Sequence, residues 1–188
     1  MAGPLQGVRI LDLATMVAGP VATMMLADQG ADVIKVEPPD GELMRHFSQR
    51  RDGMSGIFLS CNRNKRSLAI DLKTAEGVEI IRKLITTAAV LVHNFRGGVA
   101  ERLGLGEDAV CALRPDIIYV SITGYGEHGP YSRQRAYDPV IQALSGLAEV
   151  QRDGDTGRPR MIRTIVADYT TALTAAQAIT AALFSRER

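Results

Sequence analysis

Apolar residues gather in short runs rich in β-branched side chains, and these runs alternate with longer segments whose apolar positions recur at helical spacing. The runs are VRILDLA at 8–14, ADVIKVE at 31–37, AVLVHNF at 89–95 and DIIYVSI at 116–122. Between them lie GPVATMMLADQG, TAEGVEIIRKLITTA and GVAERLGLGEDAVCALR, each patterned as helix. This alternation predicts βαβ units around a parallel sheet, hence an α/β fold. The strands are apolar almost without interruption, as a sheet covered by helices on both faces requires. YDPVIQALSGL predicts another helix after the fourth strand, and a long helix is expected at 169–184.

Two stretches break this rhythm. Residues 38–67 are rich in Gly, Ser, Pro, Asn and Arg and far exceed the usual connection length, which marks a functional or disordered loop. GYGEHGPYSRQRAYD at 124–138 follows the fourth strand directly, at the sheet edge where open α/β folds bind ligands. The segment TIVADYTTALTAAQAITAALF at 164–184 holds a single charged side chain, Asp168. Rich in Ala and Thr, it falls short of the roughly 20 strongly apolar residues of a membrane span and reads as a buried helix.

With 188 residues, 46% of them hydrophobic and 23% charged, the chain is long enough for one folded domain with a full core. The net charge of +1 gives no global attraction to nucleic acid or to an anionic membrane, so neither is an expected partner. Any anion must be met by local charge. The N-terminus MAGPLQG has no secretory pattern, and a cytoplasmic protein is expected. Cys61 and Cys111 belong to no C-x-x-C pattern, and His46, His93 and His128 are scattered; no disulfide framework and no metal is expected.

Three motifs carry possible chemistry. GYGEHG at 124–129 matches G-x-G-x-x-G, but a dinucleotide site needs a helix to open on those glycines, and Pro130 to Arg133 continue as loop. The match is read as coincidence. NRNKRS at 62–67 is either a solvated charge run or, with Lys73, Arg96, Arg102 and Arg135, part of an anion cradle. Asp168 opens a helical run and by spacing alone reads as its N-cap; a carboxylate so placed could also act as a nucleophile.

Taken in order, PLQGVRILDLATMVAGPVATMMLADQGADVIKVEPPDGE, NRNKRSLAIDLKTAEG, HNFRGGVAERLGLG, YVSITGYGEHGPYSRQRAYDPVIQALSGL and VADYTTALTAAQAITAAL resemble the class III CoA-transferases. This family includes formyl-CoA transferase, carnitine CoA-transferase and α-methylacyl-CoA racemase. The resemblance implies a Rossmann-like open parallel sheet with flanking helices, and one α/β domain over 1–188 that forms the N-terminal part of a large CoA-binding domain. A small domain and the C-terminal completion of the large one would lie outside these residues. It also implies an interlocked homodimer.

The same resemblance puts Asp168 at the catalytic aspartate. That residue attacks an acyl-CoA thioester, giving a mixed anhydride and then an aspartyl-CoA thioester, from which CoA passes to a carboxylic acid. Coenzyme A would be substrate, with no permanently bound cofactor. The CoA contacts would fall on Val17 and Ala18, on Ile70, Asp71, Leu72 and Lys73, on Asn94, Phe95 and Arg96, on Arg102, and on Arg135 and Tyr137. Pro38 stands where a family arginine lies near the adenine. Tyr137 occupies the place of the racemases' histidine, and a phenol with a reference pKa of about 10 is a poor proton-exchange partner near neutral pH, which favours transfer over racemisation. Two alternatives stay open: a racemase that uses Asp168 in α-proton exchange, and a catalytically incomplete CoA-binding or dimerisation module.

Overall fold

The computed structural model describes residues 3–47 and 49–188. Five parallel strands form the main sheet: β1 (Arg9–Asp12), β2 (Asp32–Glu37), β5 (Arg66–Ala69), β6 (Val90–His93) and β7 (Ile118–Ser121), in the spatial order β5-β2-β1-β6-β7. Two-residue strands β3 (Arg50–Arg51) and β4 (Met54–Ser55) make a small hairpin inside the long connection after β2. The helices are α1 (Ala18–Asp28), α2 (Gly56–Asn62), α3 (Ala75–Ile85), α4 (Val99–Arg102), α5 (Glu107–Leu113), α6 (Asp138–Leu144), α7 (Leu147–Val150) and α8 (Val166–Arg186).

This is the α/β architecture that the apolar rhythm predicts. Alternate strand residues feed two cores. Ile10, Val33, Val90 and Val92 pack with α1, α2 and α8 on one face, while Leu11, Ile34 and Leu91 pack with Ile81, Ile85 and Val110 of α3 and α5 on the other. A period of two along each strand sends neighbours to opposite faces, so one apolar run fills both layers. The helix α8 buries Ala172, Ala176, Ile179 and Leu183 along α1, and its small residues let the two backbones approach. No helix among the described residues is long and apolar enough to cross a membrane.

The fifth strand escaped the pattern. The sequence of β5 is RSLA, it lies at the sheet edge, and three of its four residues are exposed. Edge strands need little apolar surface, so the segment reads as loop until its pairing with β2 is seen. The expected helix over 98–114 is two helices, α4 and α5, divided where Gly104 turns at a φ of 67°. The long helix extends to 166–186 and so exceeds the expected 169–184 at both ends.

The strand order reverses between β1 and β6, whose pairing leaves a crevice at their carboxyl ends. There the side chain of Asn94 spans the gap: its amide donates to the Thr15 carbonyl at 2.8 Å and accepts from the Thr15 N–H at 2.9 Å. Gly19 lies so close to Ala14 that any Cβ there would collide with the alanine methyl, which seats the start of α1 tightly over the end of β1.

Candidate active site

Asp168 lies in the first turn of α8, half-buried, beside the first turn of α1. Its carboxyl is raised above the ordinary aspartate value by burial first and by the Asp138 charge second. It does not cap its own helix. That work falls to Asp138, 30 residues upstream at the start of α6, whose Oδ2 accepts from the N–H groups of Ala167 at 2.7 Å and Asp168 at 3.3 Å. The cap expected of Asp168 is therefore corrected: a helix start leaves several N–H groups unpaired, and a buried carboxylate from another element has taken two of them.

Asp138 is itself fixed. The side-chain amide of Gln142, one turn on in α6, donates to its Oδ1 at 2.5 Å, and the Oε1 of the same amide accepts from the Ile162 N–H at 2.9 Å. The segment entering α8 is thus pinned to α6. One consequence is electrostatic. The Asp138 charge, fixed there, disfavours the Asp168 anion. Among the described residues Asp168 makes no ion pair. A half-buried carboxylate with a raised pKa and no cation partner is a candidate functional group.

The expected CoA-contact residues all lie at the carboxyl-terminal edge of the sheet. Val17 and Ala18 follow β1, Ile70 to Lys73 follow β5, Asn94 to Arg96 follow β6, Arg102 ends α4, and Arg135 and Tyr137 close the loop after β7. From β5 to β7 there are four inter-strand spacings, roughly 19 Å, so the set suits an extended ligand. Two grooves gather some of them. One of about 350 Å³ is lined by Leu72, Lys73, Arg82 and Arg102 among others, and another of about 250 Å³ by Phe95, Arg96, Glu127 and His128 among others. Arg135, Tyr137 and Asp168 line neither. Val17, Ala18 and Ile70 are buried, and the Asn94 amide is engaged with Thr15.

In the basic cluster NRNKRS each cation already meets a carboxylate, Arg63 and Arg66 at the exposed surface and Lys65 in the interior. Arg63 grips Asp28 through two hydrogen bonds of 3.1 and 2.5 Å. Arg66 grips Asp32 through bonds of 2.8 and 2.7 Å. Lys65 is buried and spends its three donors, each at 2.8 Å, on Asp12, Asn62 and the Pro20 carbonyl. By contrast Lys73, Arg96, Arg102 and Arg135 are exposed and make no ion pair among the described residues.

The GYGEHG loop binds no helix start. Gly124 backs onto Ala136 so closely that a Cβ would strike it, and Gly126 and Gly129 turn at φ values of 78° and 98°. Loop geometry alone accounts for the three glycines. What sequence reasoning missed is the support: Asp138, Gln142, Lys35 and Glu42 hold the site through partners 20 to 30 residues away, and only an isolated charge within an apolar run, as at Lys35, hinted at it.

Residues 5–188 match the family described as CoA-transferase family III. The chain is 44% identical to a succinyl-CoA:glutarate CoA-transferase of Mus musculus over 98% of its own length and 43% of that protein's. It is 38% identical to a formyl-CoA:oxalate CoA-transferase of Streptomyces avermitilis, covering all of this chain and 46% of that one. The crystal structure of a CAIB/BAIF family protein from Brucella suis superposes with a TM-score of 0.94 at 38% identity, over the whole chain and 51% of that structure. The chain thus spans about half the length of the relatives it matches.

Proposed function

The chain belongs to CoA-transferase family III, and on that premise we propose that it carries the nucleophile and much of the CoA-binding edge of an enzyme that moves CoA from an acyl-CoA to a carboxylic acid. In this reading 1–188 is the N-terminal part of the large domain, and coenzyme A is a substrate. The observation that carries the reading is Asp168: half-buried, capped away from its own helix by Asp138 and paired with no cation among the described residues.

The steps balance without a proton or redox partner. A carboxylate oxygen of Asp168 attacks the thioester carbonyl, the C–S bond breaks, and CoA leaves as a thiolate from a mixed anhydride. The thiolate then attacks the aspartyl carbonyl, releasing the donor acid and leaving CoA on Asp168. The acceptor carboxylate displaces CoA to form a second anhydride, and the thiolate recaptures the acceptor's acyl group, which restores Asp168. Exposed Lys73, Arg96, Arg102 and Arg135, spread along the sheet edge, supply positive charge for the phosphates of CoA. The relatives named above act on glutarate and oxalate, so a dicarboxylic acid is the acceptor class to test first.

Incubation with succinyl-CoA, followed by intact-mass measurement and peptide mapping, tests the reading. CoA linked to Asp168 is the expected result. CoA binding with no adduct at Asp168 would overturn covalent transfer, and α-proton exchange with deuterated solvent in the absence of an acceptor would favour racemisation instead. The expected homodimer belongs to the same proposal, and sedimentation across a range of concentrations tests it.

A further inference from the structure

The imidazole of His93, at the end of β6, is 4% exposed, and the proposed transfer does not use it. Both of its nitrogens are engaged. Nε2 lies 2.7 Å from the Tyr119 hydroxyl of β7, and that hydroxyl donates to the Leu105 carbonyl at 3.0 Å. Nδ1 accepts from the Phe95 N–H at 3.2 Å. The two ends demand the same species. A phenol has one proton and the Leu105 carbonyl takes it, so Nε2 must donate; a backbone amide only donates, so Nδ1 must be bare.

This ring stands where Asn94, Phe95 and Arg96, three of the expected CoA contacts, leave the sheet. The His93 carbonyl accepts from the Ile122 N–H at 2.9 Å, and the Asn94 amide is held by Thr15. Next along, the Phe95 N–H has the imidazole as its one acceptor among the described residues. The Phe95 ring stacks on the imidazole with centroids 5.1 Å apart, and Tyr119 meets it edge-on at the same distance, which restricts its rotation. Arg96 follows directly and shares with His93 and Tyr119 the groove of about 250 Å³. Glu101 of α4, Glu107 of α5, and Glu127 and His128 of the loop after β7 line the same groove. Burial pushes His93 below the ordinary histidine value, and the charges of Glu101 and Glu127 oppose that push without cancelling it.

We propose that His93 is a positioning residue: as the neutral Nε2–H tautomer, with its proton fixed by Tyr119 and Leu105, it holds the Phe95 N–H and so sets the turn that presents Arg96 to CoA. The part in binding rests on the reading that Phe95 and Arg96 contact CoA; the tautomer and the hold on Phe95 can be read without it. A charged imidazole carries N–H groups on both nitrogens, so two donors would face each other at Phe95 and the turn would be released.

The first test uses the unaltered chain without ligand. Long-range proton–nitrogen-15 correlation is expected to show the His93 ring as the Nε2–H tautomer at neutral pH, charging only below the ordinary value of about 6.5. The Nδ1–H tautomer, or a charged ring at neutral pH, overturns the proposal. Two substitutions then separate the nitrogens, because the Asn side-chain oxygen reaches the place of Nδ1 and the Gln side-chain amide that of Nε2. His93→Asn keeps an acceptor for Phe95 and is expected to leave the hydrogen-exchange rate of the Phe95 amide and the dissociation constant for CoA within about twofold. His93→Gln keeps only the Tyr119 partner, and is expected to speed that exchange and weaken CoA by roughly three- to tenfold, as loss of one hydrogen bond does. As pH falls below about 6.5 the unaltered chain should lose CoA affinity faster than His93→Asn, a comparison in which the titration of the CoA phosphate cancels. Equal changes in exchange in the two variants, or none in either, overturn the proposal. So do two variants that both fail to fold, since the ring would then be structural, and so does a CoA affinity that ignores both substitutions in a chain that binds CoA. Exchange that separates the variants in a chain with no CoA affinity at all would sink the CoA-edge reading alone.

Discussion

Asp12 and Asp168 both meet the first turns of α1, yet their surroundings push their carboxyl groups in opposite directions. Burial would raise the Asp12 carboxyl, but Lys65 and then Lys35 outweigh it, with Lys65 and Thr23 also donating hydrogen bonds, so it lies below the ordinary value. Asp168 has another carboxylate for a neighbour, and it lies above. A paired buried carboxylate is inert structure. One left short of partners is the kind that the proposed transfer chemistry would use.

The contrast can be broken most sharply at Asp168 itself. Asp168→Asn should abolish the adduct and lower transfer by about 10⁴-fold or more in an acyl-transfer assay with the full-length protein, as losses of covalent nucleophiles do. It should leave the unfolding midpoint unchanged or slightly raised, because a disfavoured charge has been removed next to Asp138. A large loss of stability would show that Asp168 is structural after all.

Lys65→Met tests the opposite member. It strands the fully buried Asp12 without its partner and should cost about 3–5 kcal/mol in urea unfolding. The pH dependence should separate the two aspartates as well. The lowered Asp12 contributes stability that is present above the ordinary aspartate range and lost as pH falls through its folded-state value. The raised Asp168 works the other way: its carboxylate, and with it the adduct, is lost as pH falls through a point above the reference 3.8, while the fold gains.

Asp138→Asn sits between them. Loss of the charged cap should destabilise by about 1–2 kcal/mol in thermal unfolding. It should also lower the Asp168 titration midpoint, since the like charge is gone. The smallest effect is expected at Arg66→Ala, where the side chain is 62% exposed and its pair with Asp32 should contribute under about 1 kcal/mol by the same measurement.

Basic residues tell a parallel story. Arg63, Lys65 and Arg66 stand together in the sequence and invite a functional reading, yet each is paired with a carboxylate, Lys65 in the core and the two arginines at the surface. Lys73, Arg96, Arg102 and Arg135 are scattered through the sequence and are left exposed together along one sheet edge. Proximity along the chain is a poor guide to charge function, because the turn from α2 into β5 sends neighbouring side chains to partners on different elements.

By itself the sequence determined the architecture. Strand runs that are apolar on both faces and helices of period 3.6 permit few arrangements, and the parallel sheet with its two cores follows from them. It determined the family and singled out Asp168 as a lone carboxylate in an apolar helix. The edge strand β5 was hidden because its polar residues need only backbone pairing. Only the tertiary structure decided which carboxylate caps α8, which cations are used up, and how the 13–17 loop between β1 and α1 is clamped. Each of those outcomes depends on a partner between 21 and 79 residues away. Local periodicity carries no trace of such pairings, since they arise only when the sheet brings the carboxyl ends of β1, β2 and β6 together.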